Sequence, residues 1–276
     1  MPSIEVYVGG WHGDTKCCGM TTGKYGKNVL HFDSTLTHPT VSDIIYLYYQ
    51  HITGVNHMKS YKAAIFDLDG TLLDTLDDLH AALNHTMDLF SYPHRTREEV
   101  RQFVGNGVAR LMELSVPGGA DDENFERAIE EYRKYYTAHS EVKTKPYDGV
   151  TELIRKLKAD GIGIAVASNK PHKATCDLCA KMFPDIEIVS GEREADGIKR
   201  KPAPDMVIYA AGELGCSVDE CVYIGDSEVD VKTAKNAGMD VVAVLWGFRD
   251  RDVLENAGAE VITDSAQELY RLIRKI

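Results

Sequence analysis

Positive charge is in short supply in this chain. Its 31 lysines and arginines face 43 aspartates and glutamates, a formal charge of −12 at pH 7. Nonspecific binding to nucleic acid and attachment to an anionic membrane both need basic surface, so neither partner is expected. The deficit does not exclude a small anionic substrate, because one bound cation or one well-placed lysine reverses the field locally. Long apolar runs are missing too. No stretch approaches the roughly 20 residues that a membrane-crossing helix needs, and no basic segment followed by an apolar one suggests a secretory signal. Cysteine is sparse: Cys17, Cys18, Cys176, Cys179, Cys216 and Cys221 do not make a disulfide framework in 276 residues. Cys176 and Cys179 form a C-x-x-C, but in a helical pattern and without a second pair at zinc-site spacing, so helix packing is the expectation. These absences point to a reducing, cytoplasmic setting.

What is present is an ordinary globular composition, 43% apolar and 27% charged, long enough for one or two domains. From about residue 62 short apolar runs alternate with helical patterns. Strands are expected over 62–66, 162–167, 186–189, 221–224 and 241–244, and helices over 150–159, 173–182, 204–214 and 229–237. The runs are apolar almost throughout, as in strands covered on both faces of a parallel sheet. "LKADGIGIAVAS" and "AKNAGMDVVAV" both leave a helix at glycine and enter a strand. The rhythm is that of a doubly wound, Rossmann-like α/β core.

Residues 76–145 break it. "LDDLHAALNHTMDLF" spaces Leu76, Leu79, Leu83, Met87 and Phe90 as one helix face, "NFERAIEEYRKYYTAHS" reads as another helix, and no strand is evident. An all-helical cap over 76–145, inserted into a core made of 58–75 and 146–276, is the expected organisation. Residues 1–57 are glycine-rich and poor in core pattern, apart from a short amphipathic stretch, "SDIIYLYYQHI". His12, Cys17, Cys18 and His31 lack regular metal-site spacing. Met58 precedes the first core strand, so 1–57 is expected to be an extension, or a misassigned start, without catalytic parts.

The core strands end in polar groups. Asp67 and Asp69 follow the first strand in "AAIFDLDGTLLDT", Ser168 and Asn169 follow the second in "IAVASNK", and Lys201 lies in "KRKPAPD". Asp226 ends the fourth in "CVYIGDSEVD", with Asp230 one helical turn on. Ligands of open α/β sheets bind outside the carboxyl ends of strands. Carboxylates crowded there repel unless a cation offsets them. Hard oxygen donors suit magnesium, which shares phosphate oxygens with a substrate. One carboxylate can then attack phosphorus while a second moves the proton, and the lysine, hydroxyl and loop N–H groups hold the phosphoryl oxygens. Asp74, Asp77 and Asp78 read instead as first-turn helix charges.

From Met58 onward the chain resembles the haloacid dehalogenase superfamily with a helical cap at the first insertion site. The ordered set "DLDGT", "SNK", "KP" and "GDSEVD" carries the resemblance. It implies that Asp67 is a nucleophile forming an aspartyl-phosphate and that Asp69 protonates the leaving group and then activates water. It implies Mg2+ held by Asp67, the Asp69 carbonyl and Asp226, with Asp230 supporting the metal. Ser168 and Lys201 would bind the phosphoryl group, with Asn169 nearby, and Thr71 would orient Asp69. The dehalogenases lack the second aspartate, so Asp69 points to phosphoryl transfer. "FVGNGVARLMELSVPG" in the cap resembles the phosphoglycolate phosphatase branch, with Asn106 on a loop able to reach the substrate and Arg110 one turn along. A phosphomutase, a pyrophosphatase or broad-specificity phosphatase, and a non-catalytic binding module are the alternatives. A small phosphorylated metabolite is the expected partner of a monomer or homodimer.

Overall fold

A computed structural model describes residues 61–274 throughout and, before them, only the backbone of three short strands. The chain divides into two compact units, Met1–Met58 and Lys59–Ile276. In the first, β1 (Glu5–Tyr7), β2 (Gly19–Thr22) and β3 (Asn28–His31) form a sheet of order β1-β3-β2. β3 pairs parallel with β1 and antiparallel with β2. No apolar pattern had marked these strands. The amphipathic stretch of 42–52, His12, Cys17, Cys18 and the side chain of His31 lie outside the described residues.

In the second unit β4 (Ala63–Phe66) leads through a tight turn to the short β5 (Leu73–Asp74). Four helices follow: α1 (Leu76–Leu89), α2 (Arg97–Phe103), α3 (Val108–Ser115) and α4 (Phe125–His139). The two-residue β6 (Lys145–Pro146) then pairs antiparallel with β5 and brings the chain back. After α5 (Val150–Ala159) come β7 (Gly163–Pro171), α6 (His172–Met182), β8 (Ile188–Glu192) and α7 (Asp205–Glu213). β9 (Cys221–Gly225), α8 (Glu228–Ala237), β10 (Asp240–Val244), α9 (Arg251–Ala257), β11 (Ile262–Thr263) and α10 (Ala266–Arg274) complete it.

The six-stranded sheet has the order β11-β10-β9-β4-β7-β8, and every neighbouring pair is parallel. β4 therefore has β7 on one side and the later β9 on the other. The strand order reverses there, opening a crevice beyond its carboxyl end. Both sheet faces are covered. Ala64 and Phe66 pack with Leu153, Leu157 and Leu269, while Ala63 and Ile65 pack with Met206, Val207 and Ala234. This two-sided burial is why the strand is uniformly apolar. Cys179 is buried in the first of these layers. Among the described residues, no helix is long and apolar enough to cross a membrane.

Several strands differ from expectation: β5 and β6 match no expected strand, and β8 spans 188–192 where 186–189 is expected. β11 is a two-residue edge strand, too short to show an apolar run. β7 runs four residues beyond its expected end, to Pro171, and its pairing with β8 slips between Ala167 and Pro171. That bulge releases Ser168, Asn169 and Lys170 from strict alternation, and all three are buried.

The four inserted helices have their own core. Leu76, Leu79, Leu83 and Met87 pack with Leu111, Met112, Ile129 and Tyr132, and Phe90 lies partly buried at its edge. Phe248, from the loop after β10, enters the same cluster. Asp78 stands in the first turn of α1, as expected, and is also buried. It is 4% exposed and accepts hydrogen bonds from Lys143 N, Thr144 N and Thr144 Oγ1 at 2.8–3.0 Å, tying the start of the insertion to its return. Asp78→Ala strands a buried N–H and should cost about 2–3 kcal/mol in chemical denaturation. A change under roughly 0.5 kcal/mol would deny this tie.

Candidate active site

Asp67 leaves β4 at the reversal point, and its Oδ1 accepts the N–H of Leu68 at 2.7 Å. Lys201 Nζ lies 2.9 Å from the same oxygen and 2.7 Å from Asp230 Oδ1, and donates to Tyr223 Oη at 3.0 Å. Its three donors are thus all directed. Oδ2 of Asp67 has no hydrogen-bond partner among the described residues. Burial would strip Lys201 of its proton, but Asp230 and Asp67 more than offset this and raise its pKa above the ordinary lysine range.

Asp230 is wholly buried on the first turn of α8. Its Oδ2 accepts the N–H and hydroxyl of Ser227, at 3.0 and 2.6 Å, in a capping box that starts the helix. Asp226 lies one residue beyond β9 and is 1% exposed. Thr71 Oγ1 donates to its Oδ1 at 3.1 Å and Phe248 N to its Oδ2 at 2.7 Å. Thr71 therefore orients Asp226 and not Asp69 as expected, because the turn after β4 points its hydroxyl across the crevice. Gly70 has φ +87°, and a Cβ there would fall 2.4 Å from Asp226 Oδ2. Only glycine leaves room for this carboxylate.

Oxygens of Asp67, Asp226 and Asp230 lie within 4.8 Å of one another. Three carboxylates against the single ammonium of Lys201 leave two negative charges uncompensated. Burial, Asp230 and Asp67 push Asp226 above the usual carboxylate range; burial and Asp230 do the same to Asp67, against the pull of Lys201. A divalent cation fits both the charge and the hard oxygen donors. Asp230 accepts two hydrogen bonds at each oxygen, from Lys201, Tyr223 and Ser227, whereas Asp226 accepts one at each and Asp67 Oδ2 none, so Asp67 and Asp226 keep more lone-pair capacity for a cation than Asp230.

Ser168 is 2% exposed, and its Oγ accepts Lys170 N at 3.3 Å. The amide of Asn169 is fully used. Its Oδ1 accepts Lys201 N at 2.7 Å, and its Nδ2 donates to Lys201 O at 3.0 Å and to Gly105 O at 3.1 Å. It sets the backbone of Lys201 and tethers the loop carrying Asn106. Asn106 itself is half-buried between α2 and α3. Arg110 pairs with Glu113 at 2.7 Å.

Three contributors escaped the sequence reading. Tyr223 lies within the expected apolar strand 221–224, and Arg249 lies in no motif. Arg249 in fact pairs with Glu228 at 2.8 Å and donates to Arg101 O and Val104 O of the inserted helices. The third, Lys170, follows "SN" directly, and its Nζ lies 3.0 and 3.1 Å from the two oxygens of Asp69.

The model of the haloacid dehalogenase-like hydrolases matches residues 64–244, more than half of the chain. The chain belongs to this family. Within it, similarity to phosphoglycolate phosphatases recurs. One from Thiobacillus denitrificans is 35% identical over 230 residues, 79% of this chain and 100% of the relative. A crystal structure from Lactobacillus delbrueckii subsp. bulgaricus, provisionally a phosphoglycolate phosphatase, is 39% identical with a TM-score of 0.73, covering 79% of this chain and 100% of that one. CbbY from Rhodobacter sphaeroides, solved with xylulose 1,5-bisphosphate, is 25% identical with a TM-score of 0.64, over 76% of this chain and 96% of that one.

Proposed function

We propose that this haloacid dehalogenase-like hydrolase is a Mg2+-dependent phosphomonoesterase whose substrate is 2-phosphoglycolate. The observation that carries the reading is the open Oδ2 of Asp67, facing the crevice beside Lys201 and Asp226. Bound by Asp67 and Asp226, Mg2+ would offset the excess charge and polarise a phosphoryl oxygen. Asp67 Oδ2 forms the new bond to phosphorus as the ester P–O bond breaks, and Asp69 gives its proton to the departing oxygen. Water then attacks the aspartyl-phosphate, Asp69 takes its proton, and the Asp67 carboxylate leaves. The sum is ester plus water to alcohol plus phosphate. Lys201, turning the N–H now directed at Asp67 toward the substrate, and Ser168 hold the phosphoryl oxygens, Asn169 fixes the Lys201 backbone, and Asn106 brings the loop between α2 and α3 toward the other end of the substrate.

The likeness to CbbY favours one second reading, a sugar phosphate as substrate. Phosphate release from a panel of monoesters with Mg2+ separates the two. Phosphoglycolate should exceed hexose and pentose phosphates by about tenfold or more in kcat/KM, a difference of about 1.4 kcal/mol. Preference for a sugar phosphate, or isomerisation primed by a sugar bisphosphate in place of phosphate release, would overturn the substrate assignment.

A further inference from the structure

Lys170 has no part in the chemistry above, yet it is 6% exposed and its ammonium is held between two side chains. Its Nζ bonds both oxygens of Asp69, at 3.0 and 3.1 Å, and Tyr136 Oη at 2.6 Å, and lies 4.5 Å from the centre of the Tyr136 ring. Tyr136 belongs to α4, in the inserted helices, and its ring stacks parallel on Tyr132, 5.7 Å between centroids, inside their core. The Asp69 side chain is 20% exposed and, among the described residues, accepts hydrogen bonds from Lys170 alone. One ammonium, supplied by the β7 bulge, is therefore shared between a core carboxylate and an aromatic residue of the insertion.

We propose that Lys170 is a positioning residue that, braced by Tyr136, holds the Asp69 carboxylate on the leaving-group side of the site. The inference rests on the phosphomonoesterase reading, in which Asp69 handles the proton. Asp69 stands two residues from Asp67, and a divalent cation nearby would draw an unrestrained carboxylate toward itself as an additional ligand. The bidentate contact with Lys170 supplies a competing positive charge and a fixed direction. Because Tyr136 sits on α4, the hold on Asp69 is complete only while the insertion packs over the core. Proton delivery is thereby tied to a covered substrate.

Proton delivery matters most when the leaving group is a poor one. Rapid-quench measurement of leaving-group release in the first turnover therefore compares phosphoglycolate, which expels an alkoxide, with p-nitrophenyl phosphate, which expels a stabilised phenolate. In Lys170→Met the phosphoglycolate rate should fall about 100-fold and the p-nitrophenyl phosphate rate less than about 3-fold, with KM within about 3-fold of wild type. Tyr136→Phe should shift the same ratio by about 3- to 10-fold, and Lys170→Arg should recover part of the loss. Should Lys170→Met fail to fold, the other two variants carry the same comparison. Equal losses for both esters, a change in KM alone, or no loss would overturn the proposal while leaving wild-type hydrolysis standing. Wild-type protein that hydrolyses neither ester would overturn the phosphomonoesterase reading and this inference with it.

Discussion

Asp67→Asn should lower kcat at least about 10,000-fold, about 5.5 kcal/mol of transition-state stabilisation, while leaving the protein folded. An amide oxygen keeps the hydrogen bonds from Leu68 N and Lys201 but cannot form the bond to phosphorus. The stability side of the prediction has the opposite sign from the usual loss of a buried ion pair. Asp67 shares Lys201 with Asp230, 2.7 Å from the ammonium, so removing one negative charge leaves the lysine paired and relieves a crowded site. Without metal, the Tm of the variant should equal or exceed that of wild type. Steady-state assay and thermal unfolding check both halves. Residual activity above about one hundredth of wild type would remove Asp67 as nucleophile.

Removal of divalent cations should abolish turnover and also change the fold's response to pH. Burial and neighbouring charge raise Asp67 to about 7 and Asp226 to about 8. Folded-state values above the unfolded ones mean that the metal-free fold holds protons the unfolded chain releases. Its stability therefore falls as pH rises from about 4 through about 8. Mg2+ favours the ionised pair, so the Tm gained on adding it should grow over the same window. At 100 times its dissociation constant the gain is about 2.7 kcal/mol, or roughly 5–10 °C at alkaline pH for a chain of this size. Asp226→Asn should lose most of that gain, because it removes one of the two negative charges that Lys201 leaves uncompensated and one of the proposed metal ligands. A magnesium shift as large at pH 5 as at pH 8, or undiminished in Asp226→Asn, would contradict the assigned site.

The alternation of apolar runs and helical faces marked five strands of the second unit's large sheet and the helices between them. It marked the inserted helices through the spacing of Leu76, Leu79, Leu83 and Met87, all of which are buried. It missed the two-residue strands, because a pattern of period two cannot be read from two residues. It also ended β7 at Ala167, where the apolar run stops, although the backbone continues as strand to Pro171. Of the expected site residues, Asp67, Asp226, Asp230 and Lys201 come together: Asp67 and Asp226 directly follow β4 and β9, Asp230 is on the first turn of α8, and Lys201 reaches them from the connection between β8 and α7. Asp69 stands beside them, held by Lys170, the last residue of "SNK", to which the sequence assigned no role.

By itself the sequence determined which chemistry could be assembled: a parallel α/β core, a helical insertion, and carboxylates and a lysine carried to one crevice by backbone periodicity. Those features follow from local pattern and chain order, which the sequence contains directly. Only the tertiary structure decided who touches whom. Thr71 serves Asp226, Asn169 serves the Lys201 backbone, and Lys170 joins Asp69 to Tyr136. Such pairings join residues up to 155 positions apart through contacts of about 3 Å. They depend on a bulge, a glycine turn and helix packing whose combined geometry has no local signature.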